Sequence, residues 1–333
     1  MIIFGTFANA KYLPQLLSML ESFQNNVLSS RIAVVALDTD TSDSVSRMNF
    51  PCVDVYSVED VETHVPQLGT ARENRRLSEY FFTLTSALPN FLFKVYPRHD
   101  FVVYIDADLF FFDNPERCIL TLDEKDNVLL TSHNFARKNL DLKVYGEFNT
   151  GFVAFRKSSD GIKVASWWLE RCLEWCKDVV EYGKFADQKY LENFSSIIPG
   201  VKMSQDFGLN LGPWGLNSLK QITSRNGSIY VNNQLLFAFH FSGLQYNRFF
   251  AILGLRSYQH RVSKTVYEII YVPYLRCIRR WETDLLNYNL ATSFGSGLKS
   301  IRPSRKVTFG VLVRSLLGGD LKFWKGIDHD TNK

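Results

Sequence analysis

Apolar positions in the first hundred residues come in short blocks that alternate with helical patterns. Residues 2–7 read as a strand and 12–23 as its amphipathic helix; 31–37 is a β-rich run that stops at Asp38-Thr39-Asp40, a cluster suited to a loop at a strand end. A short third strand follows at 53–56, then a long helical stretch over 72–96, bent or split at Pro89, whose ring removes a backbone donor. Phe101–Ile105 is unbroken apolar, as in a central strand covered on both faces, and runs straight into Asp106-Ala107-Asp108. The alternation predicts an α/β chain with a Rossmann-like, mostly parallel sheet flanked by helices. The two acids then sit at the carboxyl end of a central strand, where open α/β sheets bind ligands.

Further along, 127–131 and 152–155 read as strands, with Asn149-Thr150-Gly151 as a turn before the second. Residues 162–182 form a Trp-rich amphipathic helix and 186–194 another; 197–230 is loop-rich, and 234–240 is a last strand ending at His240. No internal repeat is visible, and no clear linker precedes residue 247. The division expected is an α/β domain over 1–247 and a mainly helical, basic and aromatic-rich extension over 248–333.

Composition refines this picture. A 333-residue chain with 46% hydrophobic and 22% charged residues has enough apolar surface for a large core, which excludes a disordered chain. The five cysteines are scattered without a CxxC pair, so neither a disulfide framework nor a zinc site is signalled, and a reducing cytoplasm is the natural compartment. The amino end opens on a strand pattern rather than a secretory signal, and the longest uncharged apolar stretch, 80–93, is too short to span a bilayer. The net charge of +4 is uneven: 248–333 holds 15 Lys or Arg against 6 Asp or Glu, leaving 23 against 28 for 1–247. Within that tail, 267–281 mixes aromatic, apolar and basic residues. One reading is a peripheral contact with the inner face of the membrane; the other is a solvated basic face on a helical subdomain. No motif accompanies the charge that would point to nucleic acid.

Chemistry centres on Asp106 and Asp108. Alternate residues of a strand point to one face, and their hard oxygen ligands suit Mn²⁺ or Mg²⁺, which typically bridge carboxylates and substrate phosphates. By itself the pair also fits two acids capping a turn. His240, in Phe239-His240-Phe241-Ser242-Gly243, is a candidate third ligand, and Gly243 permits close backbone approach to a phosphate. Hydroxyls of residues 79–85 are candidates to reach the same region, while most of the aromatic residues there read as core. Trp214, in Pro213-Trp214-Gly215, reads equally as an acceptor-stacking ring or as packing.

Asp106-Ala107-Asp108, Asn149-Thr150-Gly151, Asp187-Gln188 and His240-Phe241-Ser242-Gly243 resemble, in order and approximate spacing, the motifs of family 8 glycosyltransferases and their bacterial relatives. The resemblance covers about residues 1–250. It implies a GT-A fold, a UDP-sugar donor, a Mn²⁺ (or Mg²⁺) held by Asp106, Asp108 and His240, and transfer of a hexose to a glycan or glycolipid acceptor with retention of configuration. Thr6 and Tyr12 take the family's uracil-contacting positions, although Tyr12 also suits a core. Asp106 and Gly243 would lie at the diphosphate, Asn149 at the donor sugar, and Asp187 and Gln188 near the anomeric carbon. Asp187 equally suits an N-cap of the following helix. Two departures stand out: Phe7-Ala8-Asn9 lacks the family's acid, and Leu244-Gln245-Tyr246-Asn247-Arg248 replaces its Lys-Pro-Trp, with Arg248 a diphosphate contact at a different offset. A haloacid dehalogenase-type phosphatase is the rival enzyme, but Phe110 holds the place of its Thr or Val. A non-catalytic nucleotide-sugar-binding protein is the rival from another class.

Overall fold

The computed structural model describes residues 1–204, 206–247, 249–288 and 320–323. In chain order, the first half comprises β1 (Ile2–Ala8), α1 (Leu13–Asn26), β2 (Arg31–Ala36), α2 (Thr39–Met48), β3 (Val53–Ser57), α3 (Val58–His64), α4 (Gln67–Asn74), α5 (Leu77–Val95), β4 (Phe101–Ile105), β5 (Leu109–Phe111) and α6 (Glu116–Ile119). Then come β6 (Val128–Ser132), β7 (Phe148–Arg156), α7 (Ser159–Glu174), α8 (Phe194–Ile197) and β8 (Val201–Ser204). The central sheet has the order β3-β2-β1-β4-β7-β6-β8. Only β7 runs against its neighbours; every other pairing is parallel. This is the mostly parallel, helix-flanked architecture expected of a GT-A fold.

Side-chain alternation along β4 explains its central place. Val102 and Tyr104 enter the core beneath α5 and α7, with Leu84, Leu88, Leu92 and Trp168, whereas Phe101, Val103 and Ile105 enter the core beneath α1. Burial on both faces stabilises such a strand by roughly 1.5–3 kcal/mol per large apolar side chain. Gly5 in β1 faces α5; a Cβ there would run into Leu92, so its absence lets helix and sheet approach closely.

Several local expectations are corrected. Asp38 does not open a loop: its side chain accepts from Thr41 N at 2.9 Å and caps α2. The break in the helical stretch over 72–96 falls at Arg75–Arg76, between α4 and α5, and α5 continues through Pro89. Asn149-Thr150-Gly151 lies within β7 rather than in a turn, opposite a register shift between Leu130 and Thr131. The Trp-rich helix ends at Glu174, because Trp175 is extended. Residues 188–193 form a 3-10 helix rather than an α-helix.

The region after β8 is richer in structure than its sequence suggests. It contains β9 (Ile222–Arg225), β10 (Ser228–Val231), β11 (Gln234–Leu235), β12 (Ala238–His240), β13 (Gln245–Tyr246), β14 (Phe250–Ile252), α9 (Lys264–Val266), α10 (Val272–Asn287) and β15 (Leu321–Phe323). The expected boundary at 247/248 falls inside the β13–β14 pairing, and α10 packs along α1. Tyr271 and Tyr274, within the 267–281 stretch, are fully buried against Phe239 and Phe241. Arg280 and the Trp281 indole both bond Glu21 of α1. No helix among the described residues is long and apolar enough to cross a membrane.

Candidate active site

The carboxyl ends of β1, β4 and β6 converge on one side of the sheet, and a cleft of ≈ 330 Å³ opens there between Phe7-Ala8-Asn9, Thr85 of α5, Asp106, Asp108, Asp187 and His240. Asp106 extends β4 by one residue, its N–H donating to the Gly151 carbonyl at 3.1 Å. Asp108 precedes β5, which pairs antiparallel with β12 in the register His240↔Leu109. That short ladder delivers the imidazole to the two acids from a distant part of the chain. His240 Nε2 stands 3.0 Å from Asp108 Oδ1 and 3.4 Å from Asp106 Oδ2. One ligand atom from each of the three residues fits within 4.8 Å of the others.

The groups behind the triad fix its orientation. Tyr104 donates its hydroxyl to Asp106 Oδ1 at 2.6 Å, leaving Oδ2 toward the cleft. His240 Nδ1 lies 3.2 Å from Asn149 Oδ1, an acceptor, which assigns the ring proton to Nδ1 and turns Nε2 to the carboxylates. Asn149 is itself pinned: its Oδ1 also accepts from Gly151 N at 2.9 Å and Asn210 Nδ2 at 2.9 Å, and its Nδ2 faces His133 Nε2 and Gln188 Oε1, each at 3.3 Å. Trp214, only 2% exposed, sits edge-on to both His240 and His133. It packs against both rings and also lines an adjoining cleft.

Charge and burial oppose one another here. Burial pushes the Asp106 carboxyl above its ordinary range; His240 pulls it down and Asp108 pushes it further up. Burial disfavours the charged form of His240, but Asp108 and then Asp106 lift it above its ordinary value overall. His133 has no such partner, and burial takes it down to about 3. Asp187 is 2% exposed, and its Oδ2 has no partner. Burial first, and the Asp106 charge second, raise its carboxyl well above the ordinary range. It makes no side-chain cap on the following 3-10 helix, so the N-cap reading is set aside. Ala186 before it is held at φ 46°, a left-handed conformation that turns the Asp187 side chain's segment into the site.

The remaining candidates divide. Tyr12 is 43% exposed and lines the cleft, not the core. Gln188 also lines it, and Gly243 borders a smaller adjoining recess with Tyr12 and Asp108. Thr6 is fully buried with its hydroxyl unpartnered among the described residues, and it is not one of the residues lining the cleft. Arg248 lies outside the described residues. Sequence reading missed His133, Asn210 and Tyr104; His133 follows the end of β6, and that strand-end position was the available signal.

Gly151 shows how tightly the cluster is built. A Cβ at this position would lie 2.5 Å from His240 Nδ1 and 2.7 Å from Asn149 Oδ1. Gly151→Ala is therefore expected to displace the imidazole, to lower the melting temperature, and to weaken any Mn²⁺-dependent stabilisation at least tenfold in apparent affinity. A metal titration followed by thermal denaturation checks this, and an unchanged titration would show that His240 takes no part in holding a cation.

The sequence profile of the nucleotide-diphospho-sugar transferase family matches residues 27–204, more than half of the chain. The chain belongs to that family and is a glycosyltransferase, which removes the phosphatase alternative. It is similar to two Bacillus subtilis (strain 168) proteins: YfnF, 29% identical over 239 residues (69% of this chain, 77% of that one), and YfnD, 27% identical over 293 residues (85% and 90%). Among solved structures, the galactosyltransferase LgtC in complex with donor and acceptor sugar analogs aligns with a TM-score of 0.46 at 17% identity, covering 73% of this chain and 87% of that one. Mouse xyloside xylosyltransferase 1 aligns at 0.47 and 11% identity, covering 73% and 98%.

Proposed function

We propose that the chain transfers a hexose from a UDP-sugar to a glycan or glycolipid acceptor with retention of anomeric configuration, with Mn²⁺ or Mg²⁺ held by Asp106, Asp108 and His240. The observation that carries this reading is the convergence of those three side chains on the floor of the cleft in a chain of this family. Two carboxylate oxygens and an imidazole nitrogen form a donor set suited to a divalent cation, and a cation relieves the repulsion between two acids set side by side. Such a cation, when bound, neutralises the charge that develops on the departing diphosphate.

The chain's own groups do the rest. Tyr104 and Asn149 hold Asp106 and His240 in their ligating orientations. Phe7, Tyr12 and Leu37 give the cleft an apolar flank where β1 and β2 end, suited to a flat base. Asp187 and Gln188 stand on the opposite flank, where the sugar would lie. A buried carboxylate there favours positive charge developing on the sugar ring as its bond to the diphosphate lengthens.

Thermal denaturation with a panel of nucleotide diphosphate sugars, each with and without Mn²⁺, tests the reading. A Mn²⁺-dependent rise in melting temperature confined to UDP compounds is expected. A rise with another base moves the donor elsewhere, and metal-independent stabilisation removes the cation from it.

A further inference from the structure

A second cleft of ≈ 320 Å³ opens beside the first. The two share Asn149, Gln188 and Ser242, so they meet at the flank assigned above to the donor sugar. The rings of the second cleft form two groups. Tyr145 packs edge-on to Phe185 at 4.9 Å; Phe135 stacks on His133 at 4.6 Å; His133 meets Trp214, and Trp214 meets Tyr258 at 6.2 Å. Tyr145 is 42% exposed, and Phe135, Phe185 and Tyr258 are partly exposed, so their faces are available to a ligand. No Asp, Glu, Lys or Arg among the described residues lines this cleft. Burial keeps His133 neutral.

Such a wall is selective by its chemistry. A pyranose presents C–H groups on one face and hydroxyls around its rim; the C–H face buries well against aromatic rings, while side-chain amides and hydroxyls serve the rim. Here Gln188, Asn149 and Ser242 supply those polar groups at the end nearest the donor. A carboxylate or phosphate in the same place would lose hydration without meeting a counter-charge on the wall. We propose that this second cleft is the acceptor subsite and that it takes an uncharged pyranose by its apolar face, with Phe185 and Tyr258 setting that preference. The proposal rests on the reading of the first cleft as the UDP-sugar site, because only then does a group over Gln188 approach the anomeric carbon.

Saturation-transfer NMR on the full chain, with diamagnetic Mg²⁺ and saturating UDP filling the first cleft, tests it. The probes are the methyl pyranosides of glucose, galactose and mannose, compared with methyl glucuronide as the anion. Ring C–H protons of at least one neutral glycoside are expected to take up saturation, at least fivefold more than those of the glucuronide. That signal is expected to fall at least fivefold in both Phe185→Ala and Tyr258→Ala. UDP-induced stabilisation, read on the same samples, reports the first cleft and the folding of the variants separately. On protein that binds UDP, silence from all three neutral probes, equal saturation of the anion, or signals unchanged in both variants would overturn the assignment. If UDP itself does not bind, the reading of the first cleft fails, and the two variants tested without UDP decide the second alone.

Discussion

Asp108→Ala is expected to abolish the Mn²⁺-dependent thermal stabilisation by UDP while the protein stays folded. The Asp108 carboxylate meets His240 in the cleft, whereas its backbone carbonyl, untouched by the substitution, accepts from Phe241 N at 3.0 Å and keeps β5 against β12. The size of the loss follows from linkage: a ligand at a hundred times its dissociation constant stabilises a fold by about 2.7 kcal/mol. For a chain of this size that corresponds to roughly 4 °C of melting temperature. Turnover is expected to fall on the order of 10³-fold, as when a group that stabilises transition-state charge is removed. If the variant keeps the full Mn²⁺ response, the cation is held elsewhere and the central proposal fails.

Asp187→Asn separates the chemistry from donor binding and carries an opposite sign in stability. The variant is expected to bind UDP with Mn²⁺ as the parent does, because Asp187 is outside the proposed ligand set, but to lose roughly 10²–10⁴ in kcat. At neutral pH it is also expected to melt higher, since the parent buries a carboxylate with one oxygen unpartnered and Asp106 nearby. The Thr85 hydroxyl and local backbone N–H groups only partly offset this burial. The folded-state value is raised above the ordinary 3.8, so the parent's fold is favoured while the acid is protonated. That favour is lost as pH climbs from about 3.8 through the raised value. The variant, which does not titrate there, should therefore gain about 1–3 kcal/mol at pH 7 and lose most of that advantage below pH 4. Paired melting curves at the two pH values check the stability claim. A parent-like kcat would remove Asp187 from catalysis, and an advantage that does not shrink on acidification would show that the buried carboxylate is not its cause.

These two variants also show why the stability and the activity of this site pull apart. On the proposed reading, the placement that denies Asp187 Oδ2 a partner among the described residues is a cost to the fold that bound donor would relieve.

How much of this was legible in the chain depends on the range over which each feature is specified. The sheet was readable because the burial of Phe101–Ile105 on both faces imposes an unbroken apolar run, and strand ends carry their acids locally. Helices short of apolar residues were not: α2 has a polar composition and is started by the Asp38 cap, a signal indistinguishable from a turn until Thr41 N is seen to meet it. Asp106 and Asp108 announced themselves by spacing and His240 by its place at a strand end before Gly243, whereas Asn149 and Asp187-Gln188 stood out only through the order of motifs shared with a family. The sequence by itself therefore determined the α/β class, the strand that carries the acids and the residue types suited to a cation. Only the tertiary structure decided that β12 lies in register with β5, that Asn149 serves His240 within a strand, that one oxygen of Asp187 is left without a partner among the described residues, and that Thr6 is fully buried. Each of those depends on a contact between segments distant in the chain, where pairing register and burial, rather than local periodicity, fix which atoms meet.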